Sequence, residues 1–521
     1  MNAEFLFIGA RSACVKLCDD GLYNTIRSYR LVLNGKECAF SDRVITSLYG
    51  LWPDTDYTLE IFDGETLLST LSFRTETESY TMDVRRFGAI GDGIHDDTAA
   101  IQAAITCCPA KGRVRIPKGV YLTGPLFLKS HVRIELAKDA ELRLLTDRSH
   151  FPILPGLTES TDETNEYNLG SWEGNPLDMY AALFTGVDAE DVVIYGEGLV
   201  NGQADHSDWW VTPKIRRGAW RGRLMYLCRC RDICVQGLRF RNSPAWNLHP
   251  YFSNDLKFLD IHVNAPANSP NTDGFDPESC KGVLVAGAHF SLGDDCIAIK
   301  SGKLYMGSTY QTPCEDIEIM HCLMENGHGG VTIGSEMAGG VKNVRVHDCL
   351  MRHTDRGLRI KTRRGRGEHG VIDGIRFSRV RMERVLSPIV VNSLYFCDPD
   401  GHTPYVQSRE PQPVDERTPR IGRLVFEDME AADCCACAGY FLGLPEKPIE
   451  ELVLRNVQFS YAKDAEPMAP AMAEGVESCL RCGLIAKNVN RIICENVDFC
   501  GHSGERLDCE NVLHTEWRNP Q

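Results

Sequence analysis

Several things are missing from this sequence, and each absence narrows the reading. The N-terminal stretch "MNAEFLFIGARSACVKLCDDG" has no basic start, long apolar run or small-residue cleavage site, so it predicts no secretory signal and a cytoplasmic protein. No apolar run approaches the roughly 18–20 residues that a membrane-spanning helix requires. Positive charge is scarce: 56 Lys and Arg against 72 Asp and Glu give a net charge of −16. That balance argues against nucleic acid and against binding to a membrane surface. It also argues against an acidic substrate, unless cations are gathered locally.

The 22 cysteines fall far short of a disulfide scaffold. Cys228, Cys234, Cys322 and Cys349 sit on alternating, strand-like stretches, where free thiols act as small buried hydrophobes. "CLRC" (Cys479, Cys482) and "CCAC" (Cys434, Cys435, Cys437) have no second ligand pair at regular spacing, so neither predicts a metal site. Nothing in the chain specifies an oligomeric state.

What is present is an ordinary globular composition, 43% apolar and 25% charged, in a chain of 521 residues, long enough for two domains. In the first stretch, "SYRLVLNG", "YTLEIFDG" and "LLSTLSFRTE" alternate apolar and polar residues and carry Asn-Gly and Asp-Gly turn signals. "LYGLWPDTDYTLEIF", with Leu51, Pro53, Thr55 and Tyr57 in order, resembles a late-strand signature of fibronectin type III modules. A polar "RTETES" follows as an expected linker. The expected division is a small β-sandwich over residues 1–78 and a second domain over 79–521.

The second domain repeats one kind of phrase. "DICVQGLRF", "DLKFLDIHV", "GVLVAGAHF", "DIEIMHCLM", "NVRVHDCLM" and "GIRFSRVRM" each join two short β-rich runs through a polar or glycine kink. From Ile233 to Leu256, Val283, Ile317 and Val344 the spacing is 23–34 residues, with no amphipathic helix of comparable length between. Short strands at such a period, without crossover helices, predict an all-β, right-handed parallel β-helix. Residues one period apart then lie side by side on one face.

Two Asp-Asp pairs stand in this domain. Asp96 and Asp97 precede "TAAIQAAI" and read as the acidic start of a short helix. Asp294 and Asp295, in "FSLGDDCIAIKSG", instead follow Asp273 of "SPNTDGFDP" by 21 and 22 residues, about one coil. His328 in "ENGHGGVTIGS", Arg359 and Lys361 in "RGLRIKT", and Tyr395 in "VVNSLYF" follow on later coils. Alone, the histidine reads as a turn residue, Asp273 as an Asx-turn and Tyr395 as a packed strand residue. Together they place three carboxylates, a histidine, two cations and a phenol on neighbouring coils.

"NTDG", "DD", "GHG" and "RIK", in this order, resemble the four signature motifs of glycoside hydrolase family 28, the polygalacturonases. The resemblance covers about residues 83–510. It implies a parallel β-helix and metal-free, cofactor-free, inverting hydrolysis of α-1,4-galacturonide bonds in pectin-derived chains. It also implies Asp294 as general acid, and Asp273 with Asp295 as the pair holding the attacking water. His328 then acts beside the acid, and Asn271, Arg359, Lys361 and Tyr395 contact the sugar. Inverting enzymes generally hold their two carboxyl groups about 6.5–9.5 Å apart. Crowded carboxylates raise one another's pKa, which suits an acid that must stay protonated.

The resemblance also answers the charge deficit. "RHTDRGLRIKTRRGR" gathers Arg352, Arg356, Arg359, Lys361, Arg363, Arg364 and Arg366 within fifteen residues, and Arg356, Arg363 and Arg364 are expected at a uronate carboxylate beside Arg359 and Lys361. Glu336 stays unassigned. Insertions at about 151–181 and 202–222, the extra arginines and the expected cytoplasmic setting together predict exo-action from the non-reducing end. The rival readings are a rhamnogalacturonan hydrolase, a Ca²⁺-dependent β-eliminating lyase on the same fold, and a non-enzymatic β-helix such as an adhesin.

Overall fold

The computed structural model describes residues 2–157 and 167–518. Among these, thirty strands join one hydrogen-bonded network in which almost every added pairing is parallel, the signature of a right-handed parallel β-helix. The sequence phrases become its coils. Val192, Ile233, Leu256, Val283, Ile317, Val344, Ile375, Leu424, Leu452 and Ile492 stack in consecutive register as one buried apolar column. Fully burying a side chain of this kind is worth about 1.5–3 kcal/mol, so a charge introduced at Val283 would strike the core directly.

The residue that opens each phrase has a reason to be Asp, Asn or Gly. Asp255, Gly282, Asp316, Asn343 and Gly374 all have φ between 52° and 68°, a left-handed kink that most side chains avoid. Asn343 Nδ2 also donates to Asp316 Oδ1 at 3.2 Å, linking one coil's kink to the next.

The N-terminal strands form two antiparallel sheets. One joins Asn2–Ile8, Ser12–Cys18 and Ile45–Tyr49; the other joins Lys36–Arg43, Asn24–Leu33, Asp56–Asp63 and Thr66–Arg74. Their inner faces share a core that includes Val15, Leu31, Leu59 and Ile61. The sandwich is docked, not tethered. Cys14, Val44 and Ile45 pack against Val193, Tyr195, Leu259, Ala286 and Met320 of the solenoid. Gln236 accepts from Ser12 Oγ at 2.8 Å and donates to the Ala13 carbonyl at 2.9 Å. Within the expected linker, Glu78 is held by Arg11 at 2.8 Å.

The Asp96–Asp97 pair precedes the helix Thr98–Cys107, as expected. Asp96 Oδ1 accepts from the Thr98 amide at 2.9 Å. Asp97 turns away from the helix, and its two oxygens accept the Ile90 and Gly91 amides at 2.7 and 3.0 Å. This pair is structural.

Candidate active site

The site is built on a different column of strands from the one the sandwich covers. Phe275, Ile297, Val331, Leu358 and Ile389 are neighbours in register and point into the core. Alternation then sends Lys300, Thr332, Arg359 and Lys361 to the opposite, outer face. Asp273, Asp295 and Arg356 each lie two residues before a member of that column, and Asp294 and His328 lie three before. The sequence period and the register therefore agree.

Together they line a pocket of about 490 Å³ that contains Asn271, Asp273, Asp294, Asp295, His328, Arg356, Arg359, Lys361 and Tyr395. One oxygen from each of Asp273, Asp294 and Asp295 lies within 4.8 Å of the others. That is tighter than the carboxyl separation general to inverting enzymes, so the spacing expected from the sequence is not found.

The three carboxylates have different surroundings. The Asp295 side chain is 1% exposed, accepting Arg359 Nη1 at 3.2 Å and Lys361 Nζ at 2.8 Å. Burial would raise its pKa, but the charges of Lys361 and Arg359 outweigh burial and hold it well below the usual carboxylate range. The Asp273 side chain is 5% exposed and moves the other way, driven well up by burial, then by Asp294 and Asp276. Asp294, at 22% the most open of the three, stands 3.3 Å from His328 Nδ1. That contact, ahead of the opposing burial, raises His328 above its ordinary value. Burial and then crowding thus act in the same direction on Asp273, against the charge of Lys300. Coupled groups this close titrate as a set.

The surrounding residues divide. Tyr395 is buried against the cations, with Lys361 Nζ 5.6 Å from its ring centre. Asn271 Oδ1 accepts from Arg221 Nη2 at 2.7 Å. Arg356 reaches the pocket while donating to the Pro470 carbonyl at 3.2 Å. Arg363 and Arg364, expected at a substrate carboxylate, do not line the pocket. Arg363 is held by Asp400 at 2.7 Å and Asp398 at 3.1 Å. Arg364, 1% exposed, is held by Glu446 at 2.6 Å and by the Val406 and Ser408 carbonyls. Arg366 is likewise bound to Asp398 and the Ser335 carbonyl. Most of these partners come from later loops, and two of them, Asp398 and Ser335, themselves line the pocket.

Among the pocket residues to which the sequence reading gives no role are Lys300, Glu336 and Trp246. Lys300 is 3% exposed, with Nζ 3.8 Å from Asp273, 3.5 Å from Asp276 and 3.4 Å from Glu336. Glu336, held down to about 2 by Lys300 and Lys303 against the effect of burial, is its partner from the next coil. The indole of Trp246 faces Lys300 Nζ at 4.5 Å. The alternation in "CIAIK" was the available signal, since Lys300 has the parity opposite to the core residues Ile297 and Ile299.

Residues 115–412 match the model of glycosyl hydrolases family 28. A probable polygalacturonase of Vitis vinifera is 30% identical over 404 residues, covering 75% of this chain and 77% of its own. An endo-polygalacturonase of Pectobacterium carotovorum is 32% identical over 57% of this chain and 72% of its own. The structure of a Thermotoga maritima exopolygalacturonase superposes with a TM-score of 0.64 at 26% identity, covering 81% of this chain and 92% of that one. A Yersinia enterocolitica family 28 exopolygalacturonase shares the fold over 98% of both chains, with a TM-score of 0.73 at 17% identity.

These comparisons overturn the expected cytoplasmic location. Relatives in plants and bacteria are named for polygalacturonate, a cell-wall polymer, which points to an extracellular setting. The unpaired cysteines, most of them buried, are explained by their packing as small apolar side chains and say nothing of compartment. Because the family model spans more than half of the 521 residues, this chain belongs to family 28 of the glycosyl hydrolases and is a glycoside hydrolase.

Proposed function

We propose that the enzyme hydrolyses α-1,4-galacturonide bonds in pectin-derived chains, trimming them from the non-reducing end. The observation that carries this reading is the pairing of an acid cluster with cations on one pocket: Asp294 the most open, Asp273 and Asp295 more deeply buried, Arg359 and Lys361 paired with Asp295. Asp294 is the general acid, since it is the most exposed of the three and touches His328. Asp273 and Asp295 hold the attacking water, and their crowding limits direct attack by either on the sugar. Arg359, Lys361 and Arg356 meet the uronate carboxylate, and Tyr395 and Asn271 pack at the sugar.

Exo-action rests on the insertions. Glu173 and Lys214 come from them and line the pocket. Trp172 stacks on Trp220 at 4.7 Å and lies parallel to Trp246 at 6.3 Å, fixing both insertions against the catalytic coils. Residues 158–166 of the first insertion lie outside the described residues. The extra arginines no longer support this reading, because they are held elsewhere, and neither does a cytoplasmic diet of imported oligomers.

A lyase reading draws on the same three carboxylates, whose oxygens lie close enough to share a divalent cation. Against it, Arg359, Lys361 and Lys300 already neutralise that cluster. The N-terminal unit, residues 1–78, is in our reading a fibronectin type III-like module preceding a catalytic domain of residues 79–521. Its support is the Trp52 amide donating to Tyr57 Oη at 2.9 Å, the tyrosine-corner contact of such sandwiches.

A time course on a defined oligogalacturonide ladder, read by mass, tests the function. Mono- or digalacturonate should accumulate from the start, without unsaturated ends and without sensitivity to chelator. Early products of intermediate length would mean an endo enzyme, and unsaturated ends a lyase.

A further inference from the structure

Reaching the pocket through Lys300 and Glu336 is a buried charge network to which the proposed chemistry gives no role. Asp276 is fully buried, no hydrogen bond reaches either of its carboxylate oxygens, and burial pushes it up to about 7. Glu278, also buried, rises to about 8 for the same reason; its Oε2 pairs with His249 Nε2 at 2.9 Å, while Oε1 has no partner. The centre of this network is Lys300. Its neighbours come from three coils: Asp273, Asp276 and Glu278 from the preceding one, Asp295 from its own, and Glu336 from the following one. Burial pushes the ammonium's pKa down, but the charges of Glu336, Asp276 and Asp273 outweigh burial and carry it well above its ordinary value.

A lysine so placed can act on the reaction without touching the sugar. We propose that Lys300 is a positioning residue, a fixed positive charge behind the cluster that holds Asp273 in the carboxylate form needed to activate water. The inference rests on the role proposed above for Asp273. That carboxylate faces Asp294 and Asp295 from the next coil, Asp276 from its own, and Arg221 and Arg223 from the coil before. Arg221 and Arg223 are largely committed elsewhere. Arg221 donates to two carbonyls and Asn271, and Arg223 lies between the indoles of Trp172 and Trp246 at 5.0 and 4.7 Å. Lys300, 3.8 Å away, is the cation in ion-pair contact with Asp273. Glu336 competes for it from 3.4 Å, so the two carboxylates share one charge.

The shared charge gives two variants opposite signs. Asp273 must be ionised to act, so kcat/KM falls on the acid side as Asp273 takes up its proton. Lys300→Met removes the cation while keeping length and the contact with Trp246. Its acid limb should move up by about one pH unit, lowering kcat/KM about tenfold below the limb, with KM changed less than about twofold. Glu336→Gln frees Lys300 for Asp273, and the limb should move down. Lys300→Arg should restore much of the wild-type profile. A merely structural lysine would lower activity equally at every pH and leave the limb in place, which would overturn the proposal. Should Lys300→Met fail to fold, Glu336→Gln decides: a limb unmoved or displaced upward also overturns it. Asp273→Asn separates the two levels of argument. If it keeps turnover, the proposed site itself fails; if it is inactive while the limb of Lys300→Met stays put, only the role of Lys300 fails.

Discussion

Two Asp-Asp dipeptides sit in the same solenoid and do unrelated work. At Asp96–Asp97 the carboxylates accept backbone amides, of Thr98 from one residue and of Ile90 and Gly91 from the other, and among the described residues no cation is in ion-pair contact with either. At Asp294–Asp295 the second carboxylate is clamped by two cations, while the first opens to a pocket and meets a histidine. The dipeptide carries no function. What differs is the neighbouring coil, because a parallel β-helix sets Asp273, His328, Arg359 and Lys361 beside one pair, while the other meets turn backbone and the Thr98 hydroxyl.

The largest effect should come from exchanging carboxyl for amide in each pair. Asp294→Asn, Asp295→Asn and Asp273→Asn should each lower kcat by about 10²–10⁴ or more, with folding retained by circular dichroism. Asp97→Asn should leave kcat near wild type and cost about 1–3 kcal/mol of unfolding free energy by disturbing the buried turn. Near-normal turnover in Asp294→Asn would erase the distinction between the pairs.

The cations provide a second contrast of the same form. Arg359→Ala should cut kcat/KM on a galacturonide and weaken the dependence on ionic strength. Arg364→Ala should act on stability, by about 3–5 kcal/mol, because it strands Glu446 in a buried site. If Arg364→Ala instead raised KM with stability intact, the division between pocket and loop arginines would be wrong.

The smallest effect is that of His328. Asp294 raises its pKa in the folded state, so its contribution to stability is fully present below its unfolded value and is lost as pH rises through the raised value. The imidazole is half exposed, which limits the effect to a few tenths of a kcal/mol, about the worth of a solvent-screened pair. Wild type should unfold at a slightly higher temperature than His328→Gln near pH 5.5, and the gap should close by about pH 8.5. A gap that widened with pH would reverse the sign and remove the ion pair.

Much of this was legible because a solenoid converts sequence distance into spatial adjacency. Ile233, Leu256, Val283, Ile317 and Val344 are consecutive register partners, and the same period brings Asp273, Asp294 and His328 to one pocket. Contacts made by loops outside the repeat were not legible. The partner of Arg364 is 82 residues away, so nothing local distinguishes Arg364 from Arg359. Lys300 goes unnoticed and Glu336 unassigned for another reason: neither stands out until burial and the facing carboxylates are known. Carboxylate separation likewise depends on side-chain direction, which a repeat length does not carry.

That separation makes stereochemistry the most direct test of the central claim, that water held by Asp273 and Asp295 attacks while Asp294 protonates the leaving oxygen. Proton NMR of the first-formed product from an α-linked oligogalacturonide reports it before mutarotation. The account predicts the β-anomer at the newly cleaved residue. An α-anomer as first product would mean that one of the crowded carboxylates is the nucleophile, and would contradict the mechanism.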